Sequence, residues 1–380
     1  MITYKLSEIA RSTKGKKPKS VSKEKTDGFK IPYVDIKAFE KGLVDNYTDG
    51  ENCTFCKPDD VLIVWDGARC GFVGRGVEGA IGSTLAKISS EKYTNDFLFY
   101  FLQSKYKVLN SNPRGVGIPH IEPNLLWNFE IPDVNKTTQH AIVSRIESLF
   151  AELDKAAEHL RTAQQQLKIY RQAVLNHWLN NEEGKWEMVK LGEVAEMCLG
   201  KMLDKSKNKG TYQPYLRNVN VRWGSFDLDD LLEMRFEESE QERYGIQIGD
   251  LIMCEGGEPG RCAIWNATVP NMKIQKALHR IRVKDSIYNK FVYYLFSLYA
   301  QNGRLEKFFT GTTIKHLTGQ SLKSIEIPLP PLAEQQRIVA EIESRLSQAE
   351  AAAASIENAL QQAEALRQSI LKKAFSGELV

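Results

Sequence analysis

Ile327-Pro328-Leu329-Pro330-Pro331-Leu332-Ala333-Glu334-Gln335-Gln336-Arg337-Ile338 opens the stretch whose reading decides the fold. An alanine- and glutamine-rich helical pattern follows and closes on Lys372-Lys373-Ala374-Phe375-Ser376-Gly377-Glu378-Leu379. The stretch has an echo. Ile131, Pro132, Gln139, Ile142, Val143, Ile146, Glu147 and Ser148 each have the same residue type 196 positions later. A second echo joins Tyr4-Lys5-Leu6-Ser7-Glu8-Ile9-Ala10 to Val189-Lys190-Leu191-Gly192-Glu193-Val194-Ala195 at an offset of 185. The chain therefore reads as two copies of one unit, each ending in a long helix.

After the first Ile-Pro, apolar or small residues fall at Ile142, Ile146, Leu149, Leu153, Ala156, Leu160, Ala163, Leu167, Tyr170 and Val174. Steps of three and four are the spacing of a coiled-coil seam. The second copy offers Ile338, Ile342, Ala349, Ala352, Ile356, Ala359, Ala363, Leu366 and Ile370. Leu153 and Leu167 of the first helix have Ala349 and Ala363 as counterparts in the second, so the two are expected to pack large against small. A helix of about 40 residues spans roughly 60 Å and would hold two domains apart. The polar run Asn180-Asn181-Glu182-Glu183-Gly184-Lys185 is the expected break between copies. The resulting fold class is α+β: two mixed α/β domains, at 1–132 and 184–328, separated by an antiparallel pair of long coiled-coil helices at 133–183 and 329–380, with a pseudo-two-fold internal repeat.

Composition agrees with two ordinary globular domains: 26% of the 380 residues are charged and 42% hydrophobic. No run of about 18 apolar residues reads as a membrane span, and the N-terminus lacks a signal peptide's basic start and apolar middle, so a cytoplasmic protein is expected. Of the six cysteines, only Cys53 and Cys56 are closely spaced. Neither a second pair nor histidines follow at ligand spacing, which favours reduced structural thiols over a metal site. Catalytic motifs are missing too. There is no Gly-x-x-x-x-Gly-Lys-Ser/Thr loop, the glycines of Gly71-Phe72-Val73-Gly74-Arg75-Gly76 have the wrong spacing for a dinucleotide fold, and no Asn-Pro-Pro-Tyr or Asp-Pro-Pro-Tyr tetrad occurs. No residue is nominated as catalytic or metal-binding.

The net charge of +3 is unevenly spread. Residues 11–30 hold Arg11, Lys14, Lys16, Lys17, Lys19, Lys23, Lys25 and Lys30 against Glu24 and Asp27, a net +6. Residues 201–223 hold Lys201, Lys205, Lys207, Lys209, Arg217 and Arg222 against Asp204, a net +5. A charge run is usually a solvated loop, but recurrence at the same place in both copies points to a polyanion. Glycine-rich loops carry Arg69 and Arg75 in the first copy and Arg261 in the second, either presented toward DNA or as plain strand connections with surface arginines. Segments 113–121 and 310–317 read as exposed loops that place Arg114, His120, Thr312, Thr313, Lys315 and His316 beside the same surface. The lysines would meet phosphate and set affinity. Arg69, Arg114, Arg217, Asn218 and Arg261, with paired donors or acceptors, suit base reading. The acidic stretch 227–242, net −7, is expected away from DNA, facing a partner.

The run 327–339, leading through a long helix to Leu366-Arg367-Gln368-Ser369-Ile370-Leu371-Lys372-Lys373-Ala374-Phe375-Ser376-Gly377-Glu378-Leu379, resembles the specificity subunit of bacterial type I restriction-modification enzymes. The middle of the chain matches more loosely, through Ile131-Pro132, Gln139 and Tyr170-Arg171-Gln172-Ala173-Val174-Leu175, and departs at Asp133-Val134-Asn135 and His177-Trp178-Leu179. The resemblance implies a subunit without catalysis of its own. Its two target recognition domains would each read half of a split, asymmetric site in double-stranded DNA, with the helices as spacer. It also implies two methyltransferase (modification) subunits that use S-adenosylmethionine, and restriction subunits that use ATP and Mg2+, with no cofactor held by this chain. The rival readings are a coiled-coil scaffold protein with two protein-binding domains, and a nuclease or methyltransferase in one chain.

Overall fold

The computed structural model describes every residue except Met1, Val116, Glu182, Glu183, Leu203, Lys205 and Val380. One strand shows how the layers of the first half arise. All four side chains of Val61–Val64 are buried, because successive residues on a strand point to opposite faces and both faces here are covered. Val61 and Ile63 enter one core, and Leu62 and Val64 another. The strand lies inside a four-stranded sheet of order Arg11–Lys14, Leu85–Ser89, Val61–Val64, Val73–Gly74. Its neighbours are antiparallel, with Ile63 opposite Ala86 and Val73. The core holding Leu62 and Val64 lies toward a second sheet, in which Val34 pairs in parallel with Ile81.

The other core is covered by helices. Helix Asn95–Ser111 starts at Thr94, whose hydroxyl accepts the Phe97 N–H, and stops before Pro113, which cannot continue it. It buries Phe97, Leu98, Phe101 and Leu102. Two helix segments complete this core: Ile142, Ile146 and Phe150 from the start of the central helix, Lys136–Leu179, and Ile370, Leu371 and Ala374 from the end of the C-terminal helix, Leu332–Ser376. Phe375 sets its ring edge-on to Phe97 and Phe101, at 5.2 and 5.4 Å between centroids.

The second half is built from Leu251–Cys254 in the same way. Leu251 and Met253 face helix Asn289–Gln301, while Ile252 and Cys254 face a core with Leu216, Trp265 and Ile274. The four-stranded sheet runs Ala195–Leu199, Leu278–Val283, Leu251–Cys254, Cys262–Ile264. In the adjoining sheet Leu216 pairs in parallel with Ile274. Val174, Leu175 and Leu179 from the end of the central helix and Ile338, Val339 and Ile342 from the start of the C-terminal helix close the helical core.

The compact units are thus Met1–Arg161 with Glu357–Val380, and Thr162–Ile356. These boundaries differ from breaks at 132, 183 and 328. The physical reason is that each aromatic helix presents an apolar face that its own sheet does not cover, and helix ends distant in sequence cover it. Of the expected break between copies, Glu182 and Glu183 lie outside the described residues. Asn181 beside them exchanges hydrogen bonds with the Trp186 backbone at 2.8 and 2.9 Å.

Each Ile-Pro echo forms a short strand, Glu130–Pro132 paired with Thr3–Lys5 and Glu326–Pro328 paired with Met188–Lys190. The long helices begin just beyond, each with a fully buried glutamine in its first turn. Gln139 accepts the Thr94 N–H at 2.9 Å and donates to the Lys92 and Val134 carbonyls. Gln335 accepts the Tyr288 N–H at 2.8 Å and donates to the Ser286 and Pro330 carbonyls.

The expected seam needs correction. Ala156, Tyr170 and Leu366 are exposed, and the neighbours Ala157, Arg171 and Arg367 turn inward instead. Each step of a seam can be three or four residues, and alanine, tyrosine or leucine at the neighbouring position made the wrong choice look apolar. Leu153 and Ala363 do line one cavity in the first unit, of about 500 Å³.

Candidate nucleic-acid interface

In the first unit two loops are joined by backbone hydrogen bonds. The Arg114 and His120 peptide groups exchange bonds of 2.8 and 2.9 Å, Gly67 donates to Pro119 at 2.8 Å, and Ile121 donates to Trp65 at 2.9 Å. This brings His120 Nδ1 to 2.7 Å from Asp66 Oδ1, and Lys14, from the edge strand, donates to Asp66 Oδ2 at 2.8 Å. Burial alone would raise the Asp66 carboxyl, but the hydrogen bonds with Lys14 and His120 outweigh it and hold the group below its usual range. Asp66 is a site residue that sequence reasoning missed. Arg114 is exposed at this cluster, and Lys16, Lys17 and Lys19 are exposed beyond the strand that carries Lys14.

Arg69 and Arg75, the other arginines nominated in this unit, are occupied. Arg69 pairs with Glu40 at 2.7 Å and covers the Phe72 ring at 4.2 Å. Arg75 is ion-paired with Asp96 and Glu147 and lies over Phe99, so it ties the glycine-rich loop to the two helices instead of joining the Lys14–His120 cluster.

The second unit repeats the backbone arrangement with different side chains. Thr310 and His316 exchange bonds of 2.8 and 2.9 Å, and Leu317 donates to Glu255 at 2.8 Å. His316 is half-buried against Gly256, and Thr312, Thr313 and Lys315 are exposed. Arg261 lies mostly inside: it donates to the Asn218 carbonyl at 2.9 Å and to Glu258 at 2.7 Å, so Asn218 and Arg261 do come together.

The acidic stretch 227–242 folds back on cations of its own unit. Asp230 receives Arg217 at 2.7 Å, Asp227 receives Arg222 at 3.4 Å, and Glu240 receives Lys201 at 2.5 Å. Opposite charges of one unit fold onto one another instead of sorting into two faces. Lys201 is moreover buried, with its ammonium also on the Arg235 carbonyl, which makes it part of the domain's interior rather than its surface. Its counterpart Lys16 makes the matching backbone bond, N–H to Ile81 where Lys201 uses Ile274, yet its side chain is exposed. Lys205 lies outside the described residues. Asn220, also missed, is buried and joins Arg217 to the Asp227 and Asp230 carbonyls.

Among the described residues no group of three His, Cys, Asp or Glu side chains is placed to hold a metal ion. The six cysteines are free thiols, and burial pushes Cys56 up to about 11. No helix among the described residues is long and apolar enough to cross a membrane.

The family described as the type I restriction modification DNA specificity domain matches residues 1–160 and 183–364. The type I restriction enzyme MjaVIII specificity subunit of Methanocaldococcus jannaschii is 26% identical over 366 residues, covering 90% of this chain and 84% of its own. The EcoKI specificity subunit of Escherichia coli K12 is 25% identical over 348 residues, covering 85% and 75%. Among solved structures, a chain from work on complex assembly and conformational transition of the type I R-M system superposes with a TM-score of 0.74 at 20% identity, covering 100% of this chain and 98% of that one. The HsdS subunit from Thermoanaerobacter tengcongensis superposes with a TM-score of 0.63 at 21% identity, covering 100% and 97%. These likenesses bear on the fold.

Proposed function

Because the chain belongs to the type I restriction modification DNA specificity family, we propose that it is the DNA-reading subunit of a type I restriction-modification enzyme, acting without catalysis of its own. Each unit reads one half of a bipartite, asymmetric duplex site. The observation that carries this is the doubled loop cluster: the same backbone arrangement presents Arg114, in a cluster that Lys14 joins through Asp66 and His120, in one unit and Thr312, Thr313 and Lys315 in the other. Shared backbone with unlike side chains is what two different half-sites require. The exposed lysines and Arg222 meet phosphate; Arg114 and Asn218 reach bases; Arg69, Arg217 and Arg261 do so by exchanging their carboxylates for DNA.

The matching strand orders of the two four-stranded sheets support an internal repeat. The helices, of 44 and 45 residues, are long enough to set a fixed gap as an antiparallel spacer and to dock two modification subunits, which supply S-adenosylmethionine chemistry, and restriction subunits, which use ATP and Mg2+. The complex works in the cytoplasm. A coiled-coil scaffold protein would account for the helices but not for the recurring loops.

The test is binding to random duplex DNA at two salt concentrations, by the chain alone and with its modification subunits. Affinity should fall steeply with salt and become sequence-selective in the complex. No binding in either state would sink the proposal.

A further inference from the structure

The loops at 114–120 and 310–316 read Arg-Gly-Val-Gly-Ile-Pro-His and Thr-Gly-Thr-Thr-Ile-Lys-His. Only the glycine, the isoleucine and the histidine recur. Two of these have structural reasons. Gly115 and Gly311 sit at φ of +94° and +89°, where a side chain would be strained, and a Cβ on either would press on the carbonyl of the isoleucine, at 3.1 and 2.2 Å. The imidazoles fasten the loop to the neighbouring one: His120 Nδ1 lies 2.7 Å from Asp66 Oδ1, and the His316 ring packs so closely on Gly256 that a Cβ there would be 3.0 Å from its Nδ1.

The isoleucines have no such reason. Ile118 is 62% exposed and Ile314 64% exposed, whereas Ile121 and Leu317, three residues on, are buried. A single exposed isoleucine is ordinary. Here the same residue is held out at the same place in two loops that otherwise differ, on a backbone closed beneath it, with Arg114 or Lys315 in the same loop. A charged surface that meets a polyanion has no use for an apolar tip unless the partner offers an apolar group. Among the groups displayed by base pairs in the major groove, that group is the C5-methyl of thymine.

We propose that Ile118 and Ile314 are specificity-determining contacts, each packing on a thymine methyl in the half-site read by its own unit. This rests on the DNA-reading function proposed above. Both side chains are exposed, so Ile118→Ala and Ile314→Ala leave the fold intact. The full chain, bound to its modification subunits, is used to select from a library of randomised duplexes. I118A should lose preference for one A·T position in one half of the selected site, and I314A in the other half, by about fivefold each, with the salt dependence unchanged. Replacing that thymine by deoxyuridine should cost the unaltered protein the same factor and the matching variant nothing. Variants that select the unaltered site, or deoxyuridine that weakens variant and unaltered protein equally, would overturn this inference alone. An unaltered complex that shows no selective binding would overturn it together with the function on which it rests.

Discussion

At the scale of single residues, the second unit contains a buried titratable group with a defined partner. His279, on strand Leu278–Val283, is 1% exposed, with Nε2 2.8 Å from the Leu317 carbonyl. Burial lowers its pKa from the ordinary 6.5, against the smaller opposing pull of that bond and of Glu255. The unfolded chain therefore takes up a proton near pH 6.5 while the folded chain keeps its imidazole neutral to lower pH. Stability is full above that range and falls as pH drops through it. Melting temperatures between pH 7 and 5 should decline more steeply for the unaltered protein than for His279→Gln, and parallel profiles would exclude the effect. Residue identity made some of the site legible, since the glycine, isoleucine and histidine of the two loops recur in sequence. Charge counting did not reveal that Arg217 meets Asp230 or that Lys201 meets Glu240. Net charge is additive along a chain, but pairing depends on which side chains the fold brings within about 4 Å.

At the scale of elements, the recurring glutamine gains a reason. Gln139 and Gln335 each join three points: the residue that starts the aromatic helix, a carbonyl two residues before it, and a carbonyl at the entry to the long helix. They fix the angle between the two helices from within the core, where an unmade hydrogen bond is costly. Gln335→Ala should destabilise the second unit by about 2–3 kcal/mol, mostly through the buried groups left unpaired, seen as an earlier urea transition. A midpoint unchanged within error would mean that water replaces the amide. Strand and helix identity were legible, because Val61–Val64 and Leu251–Cys254 are continuous apolar runs bounded by turn residues. The seam was legible only as a period, since one apolar neighbour displaces it by a residue, as at Ala156 and Ala157.

At the scale of the whole molecule, the spacer role proposed for the helices makes its own prediction. Inserting seven residues, one heptad, into each long helix should lengthen the gap tolerated between half-sites and leave the half-sites themselves unchanged. Methylation mapping in cells carrying the lengthened protein would read both; altered half-sites with an unaltered gap would remove the spacer role. The echoes at offsets of 185 and 196, and the two long helical patterns, were legible in the sequence alone, because echoes and periodicity are properties of the order of residues. Which segments share a core was decided only in three dimensions. Phe375 enters the core of Phe97 and Phe101, and Leu175 and Leu179 enter that of Phe291 and Phe296. Apolar surface is indifferent to distance along the chain and is buried by whatever complementary face the fold brings to it.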